Sequence, residues 1–308
     1  MMKLWFSLVI CTAFAAFALA AHPVVLPGAP AGPITVSLPE NFKLPSSPGF
    51  FRLSATITIG AEQFPMVFGV FLPPAYFATG ERMPLVVSLH NYGLEGSNGV
   101  DLDCEGLAML WTHPQEDRRA ETITTTPESL DLRKPGFFIG LAPQSPKGRS
   151  MHKAPMPQVL AAVIDFVSTA YRVDTDRVYL TGFSYGGTQV WPIAEAMPHR
   201  FAAIAPFSGR LTSDPGRTAA ILANMPIYVC TGEIDHQFRP FSEQMYALLL
   251  AAGHTDVMYK AVPAGNHHSY CAIYTDQKFW DWMLSKRISH RPTTRPVVQP
   301  LSTTQTAQ

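Results

Sequence analysis

A serine flanked by glycines follows a short apolar run, and this segment constrains the fold more than any other feature of the chain. The apolar run is Val178-Tyr179-Leu180, and the segment after it is Gly182-Phe183-Ser184-Tyr185-Gly186-Gly187. A serine on a sharp strand-to-helix turn adopts strained backbone angles, and the residues two positions away on either side must be small. The sequence therefore predicts that Ser184 lies exposed between a buried strand and a helix.

Short apolar runs alternate along the chain with segments of helical periodicity, and this alternation predicts the fold class. Strands that alternate with helices and are apolar on both faces form a mostly parallel sheet, with helices covering both of its faces. Two longer segments near residue 50 predict antiparallel strands at the N-terminal edge of this sheet. The predicted edge strands are 50–59 and 64–72, the other strands are 85–89, 137–141, 178–180, 202–205, 227–230 and 257–262, and the helices are 159–171, 242–252 and 278–284.

The first twenty residues have the pattern of a targeting segment. Lys3 precedes an apolar run, and the small residues Ala18 and Ala20 end it. This order is typical of a cleaved signal peptide, predicted at residues 1–20. A retained membrane anchor is the alternative, but the apolar run is short and lacks a charged stop. We therefore expect a mature protein that is secreted or periplasmic and has no membrane contact after cleavage.

Composition also separates two other segments from the middle of the chain. Residues 21–48 are rich in proline and predict a linker, since proline favours extended chain. Residues 286–308 are rich in Thr, Pro and Gln and predict a disordered tail. The remaining segment, 49–285, has a suitable length for one α/β domain.

The charge of the chain is balanced. The sequence has 23 basic and 23 acidic residues, and signal cleavage would remove Lys3 and no acid. A nearly neutral chain lacks the electrostatic field with which proteins attract polyanions. We therefore expect neither nucleic acid nor an anionic membrane as a partner.

Three cysteines follow the predicted signal peptide. Cys230 ends an apolar run and is predicted to be a buried thiol, whereas Cys104 and Cys271 fall in predicted loops. Export to an oxidising compartment permits disulfides. Cys104 and Cys271 are thus the pair that could form one.

An acid and a histidine follow Ser184 in predicted loops at the same edge of the sheet. Asp235 comes after the strand at 227–230, and His267 comes after the strand at 257–262. A serine nucleophile needs a base, and the base needs an orienting acid, in the chain order Ser, Asp, His that is found here. Glu233 is the competing acid and His268 the competing base.

Two acidic or histidine-containing segments could suggest a metal. His267 and His268 are adjacent, but no third ligand follows at a spacing typical of zinc sites. Asp101 and Asp103 resemble the start of a calcium loop, but Thr112 stands where its final glutamate should be. No metal site is predicted.

The segment after the strand at 85–89 is the expected place for donors to a developing negative oxygen. Backbone N–H groups that are fixed in advance stabilise such an oxygen. Tyr92 is expected to supply one N–H and Tyr185 the other, although His90-Asn91-Tyr92-Gly93 could also be a simple turn. Met151 and His152, with these two tyrosines, are the predicted walls of a substrate pocket.

Three segments also carry a family resemblance: 142–148, 174–187 and 201–209. They resemble secreted esterases of the α/β-hydrolase superfamily, in the group related to polyhydroxybutyrate depolymerases and to feruloyl and acetylxylan esterases. The resemblance implies a triad of Ser184, Asp235 and His267 and no cofactor.

These observations together lead to a functional hypothesis. The expected function is hydrolysis of a carboxylic ester through an acyl-enzyme, with a small-molecule ester or one linked to a polysaccharide or polyester as substrate. One alternative is a peptidase of the prolyl-oligopeptidase type, a family that shares the glycine-serine pattern. The other is a binding protein on a hydrolase scaffold that has lost its activity.

Overall fold

A computed structural model describes residues 17–18, 32–96, 98–99, 101–103, 106–112, 131–132 and 138–292. Most of the predicted signal peptide, Cys104 and the last sixteen residues lie outside these ranges. Only a two-residue strand, Phe17–Ala18, is described within the predicted signal peptide.

One mixed sheet of ten strands forms the centre of the fold, in the order β1-β2-β3-β4-β6-β5-β7-β8-β9-β10. The strands from β1 to β4 pair antiparallel, as do β4 and β6, whereas the other five pairs are parallel. This confirms the predicted sheet with antiparallel N-terminal edge strands. The strands are β1 (Phe17–Ala18), β2 (Ile34–Ser37), β3 (Gly49–Ile59), β4 (Glu62–Leu72), β5 (Met83–Leu89), β6 (Ile139–Pro143), β7 (Val173–Phe183), β8 (Ala203–Phe207), β9 (Ile227–Gly232) and β10 (Val257–Val262).

Helices cover both faces of the sheet. All seven residues of β5 are buried, with Leu85 and Val87 packed on one face and Val86 on the other. Side chains of the helices at 156–170, 185–196 and 239–251 contribute to the core on the face of Leu85 and Val87. Those of the helices at 106–112, 270–274 and 277–284 contribute to the core on the face of Val86. The helices are α1 (Pro74–Ala78), α2 (Gly106–Thr112), α3 (Met156–Ala170), α4 (Tyr185–Ala196), α5 (Pro215–Ile221), α6 (Arg239–Ala251), α7 (Tyr270–Tyr274) and α8 (Gln277–Leu284), followed by a 3-10 turn at Ile288–His290. None of the helices in the described part of the chain has the length and apolar character that crossing a bilayer requires.

Both predicted boundaries of the domain need correction. The linker predicted at 21–48 contains β2, which pairs with β3 over four residues. The tail predicted to be disordered from residue 286 is ordered through residue 292. There Arg287 contacts Asp174 and Asp176, and Arg291 donates to backbone oxygens of Pro198, Phe201 and Asn224. Proline content and a lack of acids did not reveal these contacts, because the partners lie about ninety residues or more away in most cases.

Candidate active site

Ser184 lies between β7 and α4 with a strained backbone. Its φ is 56° and its ψ is −113°, a combination that L-residues rarely adopt. A Cβ on Gly182 would lie 2.6 Å from the carbonyl carbon of Gly186, and one on Gly186 would lie 2.3 Å from the backbone oxygen of Leu89. The two glycines therefore let the turn close, and the predicted strand-to-helix turn is confirmed.

The structure brings Ser184, His267 and Asp235 into one hydrogen-bonded chain. His267 Nε2 is 2.9 Å from Ser184 Oγ, and His267 Nδ1 is 2.8 Å from Asp235 Oδ2. Because Asp235 accepts at Nδ1, the proton lies there and Nε2 is the nitrogen free to accept from the serine hydroxyl. His267, rather than His268, is thus the histidine that contacts the serine.

Glu233, the competing acid, has a different place. Its Oε2 accepts a 2.6 Å hydrogen bond from the backbone N–H of Ala264, in the loop that carries His267. Two backbone bonds join the same loops, from Glu233 N to Val262 O at 3.0 Å and from Ile234 N to Gly265 O at 2.8 Å. Glu233 thus helps to hold the loop of Asp235 against the loop of His267.

The carboxylate of Asp235 is buried and strongly bonded. Burial alone would raise its pKa, but hydrogen bonds from His267, Ser208 and the Phe238 N–H bring the pKa below its ordinary value. Asp235 is therefore ionised at neutral pH and can hold an imidazole in one orientation.

Aromatic rings lie against His267. The ring of Phe238 stacks on it with centroids 4.4 Å apart and an angle of 21° between the planes. The ring of Phe183 is 4.9 Å away at 45°. These contacts restrict the rotation of the imidazole between its two hydrogen bonds.

His90 joins two loops beneath the site. Its Nδ1 is 2.7 Å from the backbone oxygen of Asn91, and the N–H of Ser145 donates to its Nε2 at 2.9 Å. Since Nε2 accepts, the proton lies on Nδ1, which donates to Asn91. Burial lowers the pKa of His90, and the ring is therefore neutral at pH 7.

These bonds determine how the peptide group between Asn91 and Tyr92 is turned. In a trans peptide the C=O and the following N–H point in opposite directions. Because the oxygen of Asn91 faces the buried ring of His90, the N–H of Tyr92 faces away from it. Tyr185 is the first residue of α4, so its N–H has no partner within the helix. The N–H groups of Tyr92 and Tyr185 stay the predicted donors.

The predicted pocket walls have different environments. Tyr92 is 76% exposed, and its ring meets that of Tyr185 edge to face at 5.7 Å. The ring of half-buried His152 is 6.4 Å from that of Tyr185. Met151, by contrast, is 1% exposed and belongs to the hydrophobic core, so its prediction as a pocket wall is wrong.

The cysteine predictions have separate outcomes. Cys230 is a buried free thiol, as expected. Its burial raises the pKa of the thiol well above the ordinary value. Cys271 is buried in α7, and Cys104 lies outside the described residues. The pairing of Cys104 with Cys271 therefore stays a prediction. No group of three or more His, Cys, Asp or Glu that could hold a metal occurs within the residues that the structure describes.

Comparison with known proteins supports the fold. A model of the dienelactone hydrolase family matches residues 146–278, a segment that includes Ser184, Asp235 and His267. The candidate esterase NocK of Nocardia uniformis subsp. tsuyamanensis is 29% identical over 236 residues, which are 72% of this chain and 60% of NocK. This chain thus spans about 60% of the length of that relative.

Two solved structures share the architecture. A thermostable esterase superposes with a TM-score of 0.57 at 22% identity, over 77% of this chain and 63% of the other. A feruloyl esterase module from Clostridium thermocellum superposes with a TM-score of 0.58 at 15% identity, over 81% and 93%. With the strand order described above, these similarities show that the chain has the α/β-hydrolase fold.

Proposed function

We propose that this protein hydrolyses carboxylic esters through an acyl-enzyme formed on Ser184. The observation that carries the proposal is the pair of hydrogen bonds that His267 makes, 2.9 Å to Ser184 and 2.8 Å to Asp235. The family match and the similarity to NocK agree with this chemistry.

The reaction has two halves. In the first, Ser184 Oγ attacks the ester carbonyl while His267 Nε2 takes the serine proton, and the tetrahedral intermediate expels the alcohol as His267 returns that proton to it. In the second, water attacks the acyl-serine with the same histidine as base, which releases the acid and restores the hydroxyl. Asp235 stabilises the imidazolium in both halves, because it remains ionised.

The developing oxyanion needs donors that are already in place. In this proposal the N–H groups of Tyr92 and Tyr185 supply them. The His90 hydrogen bond prevents the Asn91–Tyr92 peptide from turning, and the start of α4 leaves the Tyr185 N–H available. Fixed donors of this type contribute about 10²–10³ in rate each.

The aromatic rings beside Ser184 support a preference for esters with an aromatic or short acyl or alcohol portion. Tyr92, Tyr185 and His152 form this wall. Small aryl esters, or such groups linked to a polysaccharide or a polyester, are the proposed substrates. An amide would need firmer protonation of its nitrogen and tighter placement on both sides of the scissile bond.

The test uses purified mature protein with p-nitrophenyl acetate and a peptide p-nitroanilide. We expect ready ester hydrolysis, little anilide cleavage and labelling of Ser184 by a fluorophosphonate. Ser184→Ala and His267→Ala should lower turnover by about 10⁴–10⁶ with folding intact. His268→Ala is the matched control and should keep most of the activity.

Each contrary result would support a different functional hypothesis or residue assignment. Efficient anilide cleavage that needs Ser184, with weak ester turnover, would support a peptidase. An unlabelled and inactive protein would support a binding function. Loss of activity in His268→Ala but not in His267→Ala would show that the base is misassigned.

We also propose that the mature protein acts outside the cytoplasm, as its N-terminal sequence suggests. N-terminal sequencing of the exported protein should begin at Ala21. A protein that retains residues 1–20 would contradict this cleavage site.

A further inference from the structure

Arg210 is an exposed cation at the rim of the candidate site, in the loop after β8. Its backbone N–H donates to Thr188 Oγ1 at 2.9 Å, and Thr188 lies one turn of α4 after Ser184. A Cβ on the preceding residue, Gly209, would lie 2.3 Å from the backbone of Gly187. The start of this loop therefore packs directly against the first turn of α4.

Two phenylalanines hold the guanidinium. Arg210 Cζ is 5.1 Å from the ring centroid of Phe238 and 5.6 Å from that of Phe241. Such cation–π contacts orient an arginine without neutralising its charge. Phe238 is also the ring that stacks on His267 at 4.4 Å. The distance from Arg210 Cζ to the centre of the His267 ring is thus at most the sum of the Arg210–Phe238 and Phe238–His267 separations.

Among the residues that the structure describes, none neutralises the charge of Arg210. Across the part of the chain that the structure describes, no carboxylate lies within ion-pair distance of its guanidinium, although other arginines there do pair with acids. Guanidinium groups bind carboxylates in a bidentate manner that lysine cannot reproduce. An oriented and unpaired guanidinium beside the candidate base is therefore suited to bind an anion on a substrate.

The position of Arg210 indicates which part of an ester it would meet. The alcohol leaves next to His267 Nε2, because that nitrogen returns the proton to it. Arg210 lies on the side of His267 that Phe238 covers. The rings of Tyr92 and His152 instead lie against Tyr185, the residue after Ser184. The alcohol portion is thus the part nearer to the arginine.

We propose that Arg210 selects esters whose leaving alcohol carries a carboxylate, that is, esters of hydroxy acids. This inference rests on the proposed esterase function and adds a specificity to it. The carboxylate would lie several bonds from the ester oxygen. Its distance from His267 is limited by the Arg210–Phe238 and Phe238–His267 separations given above. Binding energy would come from a charge-assisted hydrogen bond, which is worth about 10-fold or more in affinity.

The test compares two acetate esters of the same size. In 3-acetoxybenzoate the leaving phenol carries a carboxylate, and in 3-acetoxybenzamide it carries a neutral amide. The ratio of kcat/KM for the two esters is measured in the wild-type protein and in variants, so that the intrinsic reactivities cancel between proteins. Arg210→Met should lower this ratio about 10-fold, with kcat/KM for the amide little changed.

Two further variants separate recognition from general charge. Arg210→Lys should keep part of the preference, because it retains the charge but not the bidentate geometry. Arg149→Met is the matched control, since Arg149 is also exposed and its Cζ lies 5.1 Å from the ring centroid of Phe64. The Arg149 variant should leave the ratio unchanged, and high salt should reduce the ratio in the wild type.

A binding measurement makes the inference independent of turnover. Ser184→Ala should bind 3-hydroxybenzoate, the alcohol product, more tightly than 3-hydroxybenzamide, and the double variant with Arg210→Met should lose this difference. An unchanged ratio in Arg210→Met, equal losses for both esters, or no difference in product binding would each overturn the inference. If the wild type hydrolyses neither ester, the proposed function fails, and the product measurement still tests Arg210.

Discussion

Replacement of His90 by leucine tests how the proposed oxyanion hole is built. The change leaves the N–H of Ser145 and the C=O of Asn91 without the partners they have at 2.9 Å and 2.7 Å. Each buried polar group that loses its partner costs about 1–3 kcal/mol, so the variant should lose about 2–6 kcal/mol of unfolding free energy. Domains of ordinary stability tolerate the lower half of that range.

The catalytic effect should be larger and of a distinct kind. Once the Asn91–Tyr92 peptide can turn, the Tyr92 N–H is no longer held toward the substrate oxygen. Loss of one such donor should lower kcat about 10²–10³-fold. Since the donor acts mainly on the transition state, KM should change little. Both constants are measured with p-nitrophenyl acetate, and stability is measured by urea unfolding.

His254 provides the matched control. It is also buried with a lowered pKa, and its Nε2 is 2.9 Å from the backbone oxygen of Ala219. It precedes β10 and so lies near the amino ends of the parallel strands, whereas Ser184 lies at their carboxyl ends. His254→Leu should lose stability without the fall in kcat, and His90→Gln, which keeps a donor and an acceptor, should recover much of the rate. Equal kcat values for the two leucine variants would refute the argument.

Three other results are expected. If Cys104 and Cys271 are bridged, the denatured oxidised protein should show one titratable thiol, Cys230; three thiols would exclude the bridge. Burial lowers the pKa of His90, His152 and His254, so the unfolded chain binds protons more readily than the folded one. Stability should therefore be full above about pH 6.5 and should fall as the pH drops below it, which urea midpoints at pH 7.5 and 5.5 would show. Ester hydrolysis should be faster at neutral than at acidic pH, since an imidazole base must be neutral to take the serine proton, and equal rates at the two would argue against such a base.

The sequence predicted the positions of the catalytic candidates because each of them follows a buried strand. In a parallel sheet the carboxyl ends of neighbouring strands meet at one edge, so residues far apart in the chain can be placed together. Ser184, Asp235 and His267 follow β7, β9 and β10 in this way. The choice between His267 and His268 depends on how a short loop turns after its strand, which no local pattern specifies.

Other features depend on distant contacts that no local pattern reveals. Phe238 and Ser208 contact His267 and Asp235 from separate loops, and neither was predicted. Their only signal was position, three residues after Asp235 and one residue after β8. The sequence predicts Met151 as a pocket wall, yet the structure buries it in the hydrophobic core on one face of the sheet. Burial of a loop residue is set by the elements that cover it.

Backbone hydrogen bonds join the loops around the candidate site to one another. These bonds explain how a strained group such as Ser184 keeps its geometry. Ser184 has an unfavourable backbone, which persists only where surrounding contacts hold it. Its N–H donates to Phe207 at 2.9 Å, and the N–H of Ser208 in turn donates to Cys230 at 2.9 Å. The end of β7 is thus tied to β8, and the end of β8 to β9, whose loop carries Asp235. In the proposed esterase, these bonds would orient the serine, the acid and the histidine before substrate arrives, so that binding energy need not be spent on ordering them.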